Sequence, residues 1–138
     1  MTGFIPLQEA FDEIDAIYDI DENAAALIDV LLEALADDNN MLDLLCLPNN
    51  HYRYTPPFEI KKYEEMQRRG KNIYTLKVRD ERGALLPYRV LIGYHAQIDT
   101  YYVLAVLQRE IAYEKTDPVF REVLERYGQS GIPDYLYR

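Results

Sequence analysis

Residues 1–50 of this 138-residue chain contain no lysine and no arginine, yet they hold twelve carboxylates: Glu9, Asp12, Glu13, Asp15, Asp19, Asp21, Glu22, Asp29, Glu33, Asp37, Asp38 and Asp43. The rest of the chain carries all 15 basic side chains against 12 acidic ones, so the net charge of −9 conceals an acidic segment and a mildly basic one. Fields act locally and are screened over about 10 Å, so the negative total does not exclude a polyanion from the second segment. An asymmetry of this kind points to an interaction function. Cysteine is nearly absent, and the single Cys46 excludes an internal disulfide and fits a reducing cytosol. With only His51 and His95, no metal cluster is visible, and neither metal nor cofactor is expected. Long apolar runs are also missing. Ala24–Ile28 and Tyr101–Leu107 fall far short of the roughly 20 residues of a membrane span. The start of the chain has neither the basic residue nor the apolar run of a secretory signal. A soluble cytoplasmic protein without membrane contact is expected.

What is present suits one globular domain over residues 1–138, with 49 % apolar and 28 % charged residues. An acidic helical segment should occupy about residues 1–46 and a sheet core about residues 71–127. Gly3–Leu7 reads as a short strand that Pro6 restricts to a sheet edge. Leu7, Phe11, Ile14 and Tyr18 recur at helical spacing. Asp21 should cap a second helix that buries Leu27, Val30, Leu31, Ala34 and Leu35. Met41–Cys46 continues it briefly, and residues 47–57 form a loop ending in a double proline. Phe58–Arg69 reads as a basic helix or turn stopped by Gly70.

Strands follow. Asn72–Arg79 alternates, with Tyr74, Leu76 and Val78 opposite Ile73, Thr75, Lys77 and Arg79. Asp80–Gly83 is a turn. Tyr88–Tyr94 and Tyr101–Leu107 are apolar on both faces, as strands inside a covered sheet are, with Ala96–Thr100 joining them. Asp117–Pro118 starts a last helix presenting Phe120, Val123, Leu124 and Tyr127 inward, and an irregular tail follows from Gly128. The fold class is α+β: an antiparallel sheet against an N-terminal helical hairpin and a C-terminal helix.

The basic residues after Gly70 suggest a site. Lys77 and Arg79 share one strand face, Arg89 stands on the next strand, and Arg109 closes a third, followed by Tyr113. Cations converging over one end of a sheet suit a phosphodiester, because a guanidinium binds phosphate bidentately and preorganised donors stabilise charge developing on phosphoryl oxygens. Tyr74, Tyr88, Tyr94, Tyr101 and Tyr102 are candidates for stacking on unpaired bases. Arg109 shares strand parity with Val103, Ala105 and Leu107, so it joins Lys77 only if the strand ends or bulges near Leu107. Arg89, among apolar neighbours, needs a partner: a phosphate, or a structural pair with Glu81 or Asp99. His95 is a candidate general base or a solvated loop histidine.

Three segments, Ile73-Tyr-Thr-Leu-Lys-Val-Arg79, Pro87-Tyr-Arg-Val-Leu-Ile92 and Tyr102-Val-Leu-Ala-Val-Leu-Gln-Arg-Glu-Ile-Ala-Tyr113, together resemble the RelE/ParE superfamily of bacterial toxins. The resemblance covers residues 71–127. It implies a RelE/ParE-like fold and the toxin of a type II toxin–antitoxin pair, an mRNA endoribonuclease. Lys77, Arg89, Arg109 and Tyr113 would be catalytic: Lys77 beside the scissile phosphate, Arg89 on the transition state, Arg109 on phosphate or leaving group, Tyr113 on the attacking ribose hydroxyl. Arg79, Lys71 and Tyr88 would bind RNA. The implied partners are a cognate antitoxin and mRNA on the ribosome. The alternative is a non-enzymatic module on the same fold, of gyrase-inhibitor type or catalytically degenerate. The acidic helices admit three readings: a solvated outer face, an internal mask over the basic sheet, or a docking surface for a basic partner.

Overall fold

Alternation in the second half of the chain builds most of a five-stranded mixed sheet. The computed structural model describes residues 2–43, 45 and 58–134. In chain order the elements are β1 (Gly3–Pro6), α1 (Gln8–Tyr18), α2 (Glu22–Asp37), α3 (Asn39–Asp43), β2 (Phe58–Lys62), α4 (Glu64–Arg68), β3 (Ile73–Arg79), β4 (Leu85–His95), β5 (Thr100–Gln108), α5 (Arg109–Ala112) and α6 (Pro118–Gln129). The strand order is β1-β5-β4-β3-β2. β1 runs parallel to β5 and the other neighbours are antiparallel, so the sheet is not purely antiparallel as expected. β1 is an edge strand, where Pro6 removes no needed ladder donor. The α+β class holds.

One sheet face carries Phe58, Ile60, Leu76, Val78, Val90, Ile92, Val103 and Val106, and α1 and α2 bury their apolar stripes against it. In α1 the stripe is Ala10, Ile14 and Ile17, while Phe11 stays 38 % exposed. In α2 it is Ala24, Ala25, Ile28, Leu31, Leu32 and Leu35, and Val30 faces solvent at 63 % exposure. Phe11 and Val30 were each expected one helix face away from where they lie. Asp21 caps α2 by accepting from the Ala24 N–H at 3.1 Å, an interaction worth about 1 kcal/mol. Across the sheet, Ile73, Leu91, Leu104 and Leu107 pack with Tyr63, Met66, Phe120, Val123 and Tyr127. Asp117 caps α6 by accepting from the Val119 N–H at 2.9 Å, with Pro118 at the first helical turn.

Phe58–Lys62 is a strand, not the helix or turn expected, and it pairs with β3 from Phe58↔Val78 to Lys62↔Tyr74. Its burial alternates, with Phe58 and Ile60 turned inward. The helical character belongs to five residues that begin after Tyr63, Glu64–Arg68. The expected loop at 47–57, including His51, lies outside the described residues, as does most of the Met41–Cys46 continuation after Asp43.

Two irregularities shape the sheet. β5 has an extra residue, Leu104, between the pairs Leu91↔Ala105 and Ile92↔Val103. Beyond Pro6, β1 no longer covers the edge of β5. There Glu13 accepts from the Val106 N–H at 3.0 Å, and Arg126 donates to the Leu104 carbonyl at 2.9 Å and to both Glu13 oxygens at 3.1 Å. An ion pair from α1 and α6 thus satisfies the open strand edge. The second irregularity lies between Lys77↔Arg89 and Arg79↔Leu85, where β4 spends four residues against two on β3. Pro87, which has no N–H to offer, sits inside it.

Candidate anion-binding cleft

Strand parity sends Lys61, Lys77 and Arg89 to the sheet face that α4 and α6 partly cover. Lys77 and Arg89 stand directly opposite each other on β3 and β4, and Lys61 is opposite Thr75 one step along. Like charges directly opposite on neighbouring strands destabilise a sheet, and on its other side Lys77 is opposite Glu59 of β2. The extra residue in β5 settles the parity of the third strand. After it, Leu107 pairs with Arg89, the strand ends at Gln108, and Arg109 opens α5 with Tyr113 just past its end. Arg109 therefore joins the other cations, as the sequence required of an interrupted strand.

The result is a cleft of about 360 Å³. Lys61, Lys62, Lys77, Arg89 and Arg109 line it with Tyr63, Thr75, Tyr113, Glu64 and Glu65. Five cations thus meet two carboxylates, and one carboxylate is already engaged. Glu65 faces Arg69 at 3.4 Å and Lys115 at 3.7 Å. Burial alone would raise its pKa, but the Arg69 hydrogen bond and the charges of Lys115, Arg69 and Arg68 together hold it below the ordinary value. Glu64 is exposed and has no ion pair among the described residues.

Arg89 is the deepest cation, 4 % exposed. Its Nη1 donates to the carbonyls of Leu86 at 3.0 Å and Tyr88 at 2.9 Å, on either side of Pro87 in the irregular stretch of β4. Its Nε is buried without a hydrogen-bond partner. Neither Glu81 nor Asp99 pairs with it; Asp99 accepts instead from Tyr94 and Thr2, each at 2.7 Å. Among the described residues Arg89 has no carboxylate partner. A buried cation without a counter-charge is costly unless something else supplies one.

Tyr63 forms the floor beside α5. Its hydroxyl donates to the Ala112 carbonyl at 2.8 Å, and its ring lies 5.5 Å from that of Tyr113. Burial first, then the neighbouring Tyr113 and Glu65, push the phenol up to about 12.

Several expected site residues lie elsewhere. Arg79 shares the cleft face but is held by the Glu59 carboxylate and by the Gly83 carbonyl. Lys71 is tied to Asp134 at 2.6 Å and sits over the Tyr127 ring, away from the cleft. Tyr88 is buried on the opposite sheet face against the helical hairpin, as are the partly buried Tyr74 and Tyr94 and the buried Tyr101. Tyr102 packs with the second apolar cluster. His95 ends β4, six residues and therefore about 20 Å along the strand from Arg89. The acidic helices cover the other face of the sheet, so they do not mask these cations. Of their twelve carboxylates only Glu13 meets a cation among the described residues.

Sequence reasoning missed Lys61, Lys62, Tyr63 and Glu64. The missed signal was the alternation Phe58-x-Ile60, which sends Lys61 to the same face as Lys77 once β2 is recognised. A larger cavity of about 570 Å³ at the start of α6 brings Arg69, Lys115 and Arg121 together with Asp117, Glu122 and Glu125, so its charges largely cancel. Among the described residues no group of side chains could hold a metal ion, and no helix is long and apolar enough to cross a membrane. Comparison with protein-family models, curated proteins and solved structures finds no match.

Proposed function

We propose that the cleft binds and cleaves an RNA phosphodiester, and that the chain is the toxin of a type II toxin–antitoxin pair with a RelE/ParE-like fold. The observation that carries this reading is Arg89: buried, lacking a carboxylate partner among the described residues, and lining a cavity with Lys61, Lys77 and Arg109. A phosphate is the counter-charge that such a site suits.

In this reading Lys77 and Arg89 neutralise the non-bridging oxygens of the scissile phosphate. Tyr113 orients the ribose 2′-hydroxyl, and Glu64, the cleft carboxylate without an ion pair among the described residues, takes its proton. The 2′-oxygen attacks phosphorus, the bond to the 5′-oxygen breaks, and a 2′,3′-cyclic phosphate results. Arg109 stabilises the leaving oxygen, which takes a proton from water. Positioning and electrostatics supply the acceleration, as is general for phosphoryl transfer. The substrate would be mRNA on the ribosome, and the cognate antitoxin would neutralise the protein by covering the cleft.

Induced expression in a bacterial host tests this directly. Growth should stop, and Arg89→Ala should relieve the arrest. Arrest that persists in Arg89→Ala and Arg109→Ala would assign the function to binding rather than cleavage. No arrest by the parent chain would remove the toxin reading.

A further inference from the structure

The two walls of the cleft differ in how firmly they are built. Lys61, Lys77 and Arg89 stand on paired strands. Arg109 and Tyr113 stand on or beside α5, a helix of four residues whose N-cap, Gln108, makes no side-chain capping bond. A single turn does not hold itself in water, because nucleation costs more than one turn returns. Its last carbonyls also lack partners within the helix. One of these, that of Ala112, accepts the buried Tyr63 hydroxyl at 2.8 Å.

Tyr63 is itself well anchored. Its N–H donates to the Ile73 carbonyl at 3.0 Å, and its own carbonyl accepts from the Gln67 N–H at 2.9 Å, where β2 passes into α4. Its ring contacts Tyr113 at 5.5 Å on one side and Phe120 of α6 at 6.3 Å on another. One phenol therefore connects the strand wall to the short helix through a hydrogen bond and a ring contact.

We propose that Tyr63 is a positioning residue of the cleft, holding Ala112 and Tyr113 so that Tyr113 and Arg109 face Lys77 and Arg89. The inference rests on the RNA-cleaving reading above and assigns Tyr63 no contact with the reacting atoms. Because the phenol titrates only near about 12, its hydroxyl remains a donor across the neutral range.

The test uses the full chain and a short end-labelled RNA oligonucleotide, at a temperature where each variant is folded by circular dichroism. Tyr63→Phe keeps the ring and removes the hydrogen bond. It should lower kcat by about tenfold to a hundredfold, the scale of a small misplacement, with KM within about twofold of the parent. A residue acting partly through Tyr113 should also show non-additivity: in a Tyr113→Ala background, Tyr63→Phe should cost clearly less than in the parent. Unchanged kcat in Tyr63→Phe, or the same factor lost in both backgrounds, would overturn the proposal while leaving the RNA-cleaving reading intact. A parent chain that leaves RNA uncut overturns both. If Tyr63→Phe does not fold, Phe120→Leu loosens the ring while sparing the hydroxyl. It should lower kcat in the same direction, and no change there overturns the proposal as well.

Discussion

Two arginines lie deep in this molecule and are treated in opposite ways. Arg126 of α6, with its side chain 12 % exposed, meets Glu13 at 3.1 Å, Glu122 at 3.7 Å and the Leu104 carbonyl at 2.9 Å. Arg89 of β4, buried further, meets two backbone carbonyls and keeps a nitrogen unsatisfied, with Lys77 directly opposite. The first is a structural cation whose neighbours were chosen to neutralise it. The second sits where the fold supplies no neutralising group among the described residues and opens a cavity instead. Burial alone does not separate a structural charge from a functional one; the identity of its partners does.

The sharpest way to break this comparison is to replace each arginine by leucine. On the function proposed above, Arg89→Leu should reduce RNA cleavage by at least about a hundredfold, the usual loss when a preorganised donor to a transition-state oxygen is removed. Its melting temperature should fall less than that of Arg126→Leu, since an uncompensated buried charge and a like-charge neighbour disappear and offset the Leu86 and Tyr88 carbonyls that lose their donor. A melting temperature that falls as far as that of Arg126→Leu would make Arg89 structural after all.

Arg126→Leu should do the reverse. It leaves Glu13 buried without its cation and uncovers the Leu104 carbonyl, a loss of about 3 kcal/mol. Cleavage per folded molecule should be retained. Denaturant titration alongside the RNA assay checks both halves, and a stability loss below about 1 kcal/mol would show that the strand edge needs no such cap.

The smallest effect concerns Glu13. Burial raises its pKa above the ordinary 4.5, and the Val106 N–H and Arg126 only partly oppose this. A raised carboxyl binds its proton more tightly in the folded state. Its contribution to stability is therefore complete below pH 4.5 and is lost as pH climbs through the folded value. Glu13→Gln has no such proton, so its stability relative to the parent should improve as pH rises across that window. Chemical denaturation at several pH values measures the trend, and a trend of the opposite sign would mean that Arg126 outweighs burial.

Much of the architecture could be read from the chain because local signals agreed with the fold. Asp21 and Asp117–Pro118 cap α2 and α6 where their chemistry suggested. The alternation of Ile73–Arg79 gave the correct faces of β3. β2 was hidden because it is five residues long, follows a double proline and ends in two lysines, a composition with little strand character. In the site, Lys77, Arg89, Arg109 and Tyr113 do come together, whereas Arg79, Lys71 and Tyr88 do not. For Arg79 and Lys71 the reason is tertiary pairing with Glu59 and Asp134, distant in sequence and invisible to any local pattern. For Tyr88 parity decided: it alternates with Arg89, so the two cannot share a face. The interruption in β5 that brings Arg109 into the cleft was recognisable only as a requirement.

The helical hairpin and the cleft occupy opposite sides of one sheet, and this makes the molecule electrically polar. The hairpin, whose carboxylates other than Glu13 have no ion pair among the described residues, packs on one face, and the cationic cavity opens on the other. On the function proposed above, a nucleic-acid strand arriving by diffusion would be turned away from the first and drawn to the second before any contact forms. The rate of productive encounter, more than the final affinity, should therefore register the hairpin, and it should fade as ionic strength rises.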